Sequence, residues 1–465
     1  MLRGVPVSDR EESPRFRAGE YVKSFPDEFV WGTATASFQI EGAIHEDGRG
    51  ESIWDRFAAT PGKIVTGEIG EPACDSYHRY RDDIALMREM GLGAYRFSIA
   101  WPRIVPDGAG AINPAGLDYY DRVVDALLEA RIVPFVTLYH WDLPQALQDR
   151  GGWANRATVD AFVCYADAVV SRLGDRVKRW ATHNEPWCVS ILSHELGEHA
   201  PGLRDRKVAL QVAHHVLLSH GAAVPVIRQH CPDGQAGIVL NFEPAYPATD
   251  SDADQVAARL HHARFNLWFL DPIMGRGYPQ DAWDHYGAAV PQIQAGDLKT
   301  IAAPLDFLGV NNYTRAVCHD PAGGDGQRVL NRRDPTNVTA RGWEVFPQGL
   351  YDLLTWLGRD YAFARLFVTE NGAAYDDVVS ADGSVHDPLR IAYLRQHLAA
   401  VRRAIDARVP VQGYFCWSLM DNFEWACGTS SRFGLAYTDF TTQRRTIKDS
   451  GYWYGRVARA NALVD

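Results

Sequence analysis

The chain has 465 residues, 46% hydrophobic, 23% charged and 11% aromatic, with 14 Trp and 20 Tyr. That composition excludes a disordered or low-complexity protein and supplies the apolar material of a large core. A formal net charge of −11 without any Lys/Arg stripe excludes a nucleic-acid footprint and a polybasic membrane patch.

Residues 1–20 are polar and read as a flexible tail without the apolar stretch of a secretory signal, so the folded domain is expected over 21–465. From there, short apolar runs alternate with longer amphipathic ones. "FVWGTATAS" (29–37) reads as a first strand, and "YHRYRDDIALMREMG" (77–91) as a helix. "AYRFSIA" (94–100) is a second strand, followed by the helix "LDYYDRVVDALLEARI" (117–132). Strands follow at "VPFVTLYH" (133–140), "RWATHNEP" (179–186), "AGIVLNFEP" (236–244), "DFLGVNNYT" (306–314) and "LFVTENG" (366–372). "HDPAGGDGQ" (319–327) is a surface loop. "LRIAYLRQHLAAVRRAID" (389–406) is a helix, and "VQGYFCWSLMD" (411–421) the last strand.

Eight nearly continuous apolar runs separated by helices describe a parallel sheet buried on both faces. Closed on itself, that sheet is a single (β/α)₈ TIM barrel with extended βα loops, the architecture that most readily holds 465 residues in one domain. The competing open, doubly wound sheet would carry GxGxxG after its first strand, and "WGTATASFQIEG" does not. No stretch approaches 18 uninterrupted apolar residues, so no membrane span is expected. The seven cysteines are odd in number, scattered and never spaced CxxC. They point to a reducing, cytoplasmic setting rather than to disulfides or a zinc site.

Each candidate strand starts apolar and ends polar: Gln39, Arg96 and Ser98, His140, Asn184 and Glu185, Asn241, Asn311 and Tyr313, Glu370 and Asn371. Barrel enzymes build their sites at the C-terminal ends of the strands. Strands four and seven face each other across the mouth, so Glu185 and Glu370 can converge on one ligand. Facing carboxyls suit cleavage of a glycosidic bond, one protonating the leaving oxygen while the other attacks the anomeric carbon or activates water. Arg96 and Tyr313 would keep Glu370 ionised if they reach it; Arg96 could equally form a structural ion pair. Glu185, beside Trp187 and near an anionic Glu370, would be pushed towards its neutral form, as a general acid requires.

The motifs "FVWGTATASFQIEGA" (29–43), "TLYHWDLPQAL" (137–147), "THNEPW" (182–187), "VTENG" (368–372) and "WSLMDNFEWACGTSSRFGL" (417–435) together resemble glycoside hydrolase family 1, nearest to its bacterial β-glucosidases. The resemblance runs in order from about residue 20 to the C-terminus. It implies a retaining exo-β-glucosidase without cofactor or metal, acting on small carbohydrates such as aryl or alkyl β-glucosides and cello-oligosaccharides. It implies Glu185 as acid/base and Glu370 as nucleophile. By the same resemblance Gln39, His140, Trp141, Asn184, Trp417, Glu424 and Trp425 hold the non-reducing sugar. Asn311 and Tyr313 surround the nucleophile, and Trp343 is the aglycone platform. Trp417 and Trp425 are expected to stack the sugar ring. Asn312 departs from the Tyr or His of many relatives, and Cys188, Leu192, Cys427 and Thr429 fall where the family varies. Acceptance of β-galactosides and β-fucosides, and transglycosylation, are further expectations.

Among rival readings, a 6-phospho-β-glycosidase usually replaces the carboxylate at 424 by a small polar residue. It also places a lysine and a tyrosine where this chain has Ser431 and Phe433. A myrosinase-like enzyme would lack Glu185, and a non-catalytic sugar-binding relative would need neither glutamate. "SHELGEHAPG" (193–202) resembles a zinc motif only loosely, since His194 and His199 are five apart rather than four. His214, His215 and His220 are read as packed or solvent-facing.

Overall fold

The computed structural model describes residues 24–320 and 337–465, together with the backbone of 327–329. The proposed 1–20 tail and most of the 319–327 loop lie outside the described residues.

Eight parallel strands close into a barrel: β1 (Val30–Ala34), β2 (Ala94–Ser98), β3 (Val133–Tyr139), β4 (Arg179–Asn184), β5 (Gln235–Asn241), β6 (Phe307–Asn311), β7 (Leu366–Asn371) and β8 (Val411–Trp417). β1 pairs with both β2 and β8, which completes the ring. One long helix follows each strand: α1 (Ser76–Met90), α2 (Pro114–Glu129), α3 (Ala157–Leu173), α4 (Arg206–His230), α5 (Asp252–His262), α6 (Pro347–Asp360), α7 (Pro388–Asp406) and α8 (Asp449–Ala460). This is the expected (β/α)₈ barrel. By length and composition α4 could cross a membrane, but 78% of its most apolar window is buried, and it packs on α3, β4 and β5.

The bottom of the barrel is filled by size matching between strands. Phe135, Phe307, Phe367 and Phe415 meet edge to face, with centroids 5.1–5.6 Å apart. Phe415 lies in register with Gly32, Phe307 with Gly237 and Phe367 with Gly413. A Cβ on Gly32 or Gly237 would come within 2.6 Å of the facing ring, so each phenylalanine needs a strand neighbour without a side chain.

Several strands are shorter than their sequence patterns. The run 29–37 leaves the sheet after Ala34 and enters a short helix, Ser37–Ile40, which carries Gln39. The runs 306–314 and 411–421 end as strands at Asn311 and Trp417. The residues beyond remain buried because they line the barrel mouth, so burial extends the apolar pattern past the last ladder bond.

β4 and β7 share a feature that positions the site. β4 shifts register against β5 between Ala181 and Asn184, and β7 shifts against β6 between Val368 and Glu370. Such irregularities re-aim the side chains that follow them. Here they sit immediately before the two glutamates.

Candidate functional site

Glu370, next to last in β7, is buried, and each of its oxygens accepts a hydrogen bond. Arg96 Nη1 donates to Oε1 at 2.6 Å, and the Tyr313 hydroxyl donates to Oε2 at 2.6 Å. Arg96, itself fully buried on β2, also donates from Nε to Thr137 Oγ1 at 3.1 Å and from Nη2 to Asn184 Oδ1 at 2.6 Å. Its guanidinium therefore spans β3, β4 and β7. Arg96 forms a buried ion pair, and the partner is Glu370.

Glu185 lies one residue past β4 with φ 48°, a backbone region that non-glycine residues seldom adopt. Trp141 (φ 80°) and Trp425 (φ 50°) share this conformation, so three proposed pocket residues sit on strained backbone. Asn311 Nδ2 donates to Glu185 Oε1 at 2.7 Å and to Asn184 Oδ1 at 3.2 Å. Thr369 Oγ1 donates to Asn311 Oδ1 at 2.7 Å and fixes that amide. A continuous chain of hydrogen bonds thus runs from Glu185 through Asn311, Asn184 and Arg96 to Glu370 and links the two carboxyls. Burial, then the charge of Glu370, pushes the Glu185 carboxyl up to about 8; Asn311 and Cys188 oppose that rise.

His140 follows β3. Asn184 Nδ2 donates to His140 Nε2 at 3.0 Å, so the ring proton sits on Nδ1, which is buried without a partner. Burial and the nearby Arg96 push this imidazole well below its ordinary range and keep it neutral. Gln39 is its complement. Its Nε2 faces Asn422 Oδ1, Phe423 O and Glu424 Oε2 at 3.0–3.3 Å, while its buried Oε1 has no partner. An unpaired N–H and an unpaired C=O in one region are what a hydroxyl, both acceptor and donor, would satisfy. Burial raises the Glu424 carboxyl to about 7, against the pull of Arg341.

The tryptophans divide into two kinds. Trp417 stacks on His140 at 5.9 Å. Trp425 is enclosed by Phe38, Trp54, His140 and Trp141 at 4.5–6.1 Å, so it is packed wall rather than an open stacking platform. Trp141 donates its indole N–H to Asn184 O at 2.9 Å. Trp343 is half-buried against Tyr313 and Phe433, under the Arg341 guanidinium. Asn312 turns away: its amide donates to Phe242 O and Thr314 O, both at 3.0 Å, and holds the loop.

Sequence reasoning missed three contributors. Thr137 and Thr369 orient Arg96 and Asn311, and the Cys188 thiol donates to Glu185 Oε2 at 3.1 Å. The available signal for Cys188 was its place three residues after Glu185 at a helix start. Among the described residues no group of three or more His, Cys, Asp or Glu is arranged to hold a metal ion. His194 Nδ1 bonds Val189 O, and His199 packs against Trp54 and Trp141. His214, His215 and His220 are buried on α4. All seven cysteines are free.

The model of glycosyl hydrolase family 1 matches residues 21–463. Beta-glucosidase A of Acetivibrio thermocellus is 47% identical over 447 residues, covering 95% of this chain and 99% of that protein. The crystal structure of the AHE enzyme from Alicyclobacillus herbarius superposes with a TM-score of 0.91 at 52% identity, covering 95% of this chain and 99% of the other. The family 1 β-glucosidase of Thermotoga maritima in complex with isofagomine lactam superposes with a TM-score of 0.92 at 47% identity, covering 95% and 100%.

Proposed function

The chain belongs to glycosyl hydrolase family 1, and on that premise we propose a retaining exo-β-glucosidase with Glu370 as nucleophile and Glu185 as acid/base. The observation that carries this reading is the asymmetry of two linked, buried carboxyls. Glu370 is an acceptor through both oxygens, whereas Glu185 is biased towards holding a proton.

In the first step Glu370 attacks the anomeric carbon while the proton of Glu185 passes to the departing glycosidic oxygen, leaving a glucosyl ester on Glu370. Esterification removes the negative charge of Glu370. One of the two causes that hold Glu185 above its ordinary range disappears with it. Glu185 then accepts a proton from the water that attacks the ester, and the configuration is restored. Asn184 Nδ2, which already donates to His140, gives its second N–H to the sugar 2-hydroxyl. The spare donor of His140 and spare acceptor of Gln39 take another hydroxyl, Glu424 accepts from the outer hydroxyls, and Trp417 covers the ring. Trp343 supports the aglycone.

Residues 21–465 act as one catalytic unit on small β-glucosides and cello-oligosaccharides, with β-galactosides and β-fucosides as further substrates. The free cysteines support a cytoplasmic location. A sugar hydroxyl can replace water at the ester, so oligosaccharides should appear at high acceptor concentration; their absence would remove that part of the reading.

The test is hydrolysis of aryl β-glucoside, galactoside, fucoside, mannoside and glucoside 6-phosphate by wild type and Glu370→Gln. Rapid release from the glucoside, lost in the variant, supports the proposal. Turnover of the 6-phosphate alone would overturn the role given to Glu424.

A further inference from the structure

We propose that Cys188 is a positioning residue for Glu185, and that Glu185 delivers its proton from Oε2, the oxygen facing the Cys188 thiol. This rests on the acid/base reading above. The argument begins at Arg96, which can only donate. Its Nη2 lies on Asn184 Oδ1, which fixes that atom as oxygen. The Asn311 atom facing the same oxygen must then be its nitrogen, and the Thr369 hydroxyl on Asn311 Oδ1 agrees. Asn311 Nδ2 also points at Glu185 Oε1. An amide nitrogen cannot accept, so Oε1 stays an acceptor in every protonation state. The exchangeable proton is left to Oε2.

At 3.1 Å from Oε2 stands the Cys188 sulfur, buried on the π-helical turn Cys188–Glu195 that begins three residues after Glu185. The Cys188 backbone N–H donates to Glu185 O at 2.9 Å, which ties the two residues together. Asn241 Nδ2 from β5 lies 4.0 Å from the sulfur, on the accepting side, and leaves the S–H for Glu185. Burial, then Glu185, raises the thiol well above its ordinary range, so it stays a thiol. A thiol both donates and accepts. It can give its hydrogen to Oε2 when Glu185 is ionised, and turn to receive when Oε2 carries the proton. A donor-only side chain would oppose the acid form, and an apolar one would release the carboxyl to rotate about its Asn311 contact.

The other groups acting on Glu185 are Glu370 from β7, Arg96 from β2, and Asn311 with Tyr313 from β6 and its following loop. None changes when Cys188 is replaced, so a comparison of variants isolates the thiol.

The experiment measures kcat/KM against pH for wild type, Cys188→Val, Cys188→Ser and Glu185→Gln, on phenyl and 2,4-dinitrophenyl β-glucosides. The alkaline limb reports the acid of the free enzyme. In Cys188→Val that limb should rise by about half a unit or more, because a hydrogen bond to the ionised form is lost. Phenyl glucoside, which needs its leaving oxygen protonated, should slow by roughly fivefold more than the dinitrophenyl substrate. Cys188→Ser, which keeps a donor–acceptor, should bring back both properties. Limbs and leaving-group ratios unchanged in both Cys188 variants would overturn the role of Cys188. A Glu185→Gln enzyme that keeps the wild-type alkaline limb and leaving-group ratio would instead overturn the acid/base reading itself.

Discussion

Arg96 and Glu370, 274 residues apart in the chain, meet at 2.6 Å with both side chains buried. The contact crosses from β2 to β7, and Arg96 continues to Asn184 on β4. Replacing Arg96 by Met would leave Glu370 with Tyr313 as its remaining donor, in a setting where an uncompensated charge costs about 3–5 kcal/mol. kcat/KM on aryl glucosides should fall by roughly two to three orders of magnitude. Arg96→Lys should fall in between, since a single ammonium cannot reproduce the fork that holds Glu370, Asn184 and Thr137 together. An Arg96→Met enzyme within tenfold of wild type would mean that Tyr313 alone orients the nucleophile.

Much of this arrangement was legible in the sequence. Eight apolar runs gave the strands because a sheet buried on both faces leaves little room for polar residues. Glu185 and Glu370 stood out as carboxyls closing such runs. What could not be read depends on neighbours far along the chain. The register shifts before Asn184 and Glu370 are set against β5 and β6. The enclosure of Trp425 arises from rings at residues 38, 54, 140 and 141, and the turn of the Asn312 amide away from the site from Phe242 O. Spacing along one segment carries no trace of these partners.

Glu185 predicts a dependence of stability on pH. Its carboxyl is raised in the fold from 4.5 to about 8, so between those values the folded chain binds the proton more tightly than the unfolded one. Stability from this group is therefore greatest below its unfolded value and declines as pH rises through the folded one. Glu185→Gln is isosteric with the protonated form and escapes the decline. Its Tm should match wild type near pH 5 and exceed it near pH 8 by a few degrees, given roughly one degree per kcal/mol for a chain this long. Scanning calorimetry at the two pH values checks this. An equal offset at both would mean that the charge on Glu185 is not what strains the fold.

Glu424 should discriminate among sugars. Gln39 Nε2 already donates to it at 3.3 Å, and the side chain is partly buried. Glu424→Gln loses one acceptor for the outer hydroxyls, so the glucoside should lose about tenfold or more in kcat/KM, the cost of an unpaired buried polar group. The fucoside lacks the 6-hydroxyl and should lose less, which shifts the glucoside-to-fucoside ratio. An unchanged ratio would remove Glu424 from recognition of that end of the sugar.

Behind Glu424 lies a buried charge network that predicts how rigid its loop must be. Lys448 Nζ donates to Asp377 Oδ2 and Asp421 Oδ1, both at 2.6 Å. Arg390 pairs with Asp377 and Asp387, and Arg432 with Asp421 at 2.8 Å. Three cations thus balance three carboxylates, and the network ties the loops after β7 and β8 to the starts of α7 and α8. Asp421 Oδ1 also accepts from Gly434 N at 2.9 Å, and Asn422 next to it receives Gln39. Lys448→Met leaves three buried acids facing two arginines, of which Arg390 is buried and Arg432 partly exposed. The expected loss is about 3–5 kcal/mol, or a Tm lower by a few degrees. Adding Asp421→Asn restores charge parity and should recover part of that loss, while KM for the glucoside stays raised because the loop has lost its anchor. Full recovery of KM along with Tm would show that charge balance alone, and not the Lys448–Asp421 contact, holds Glu424 in place.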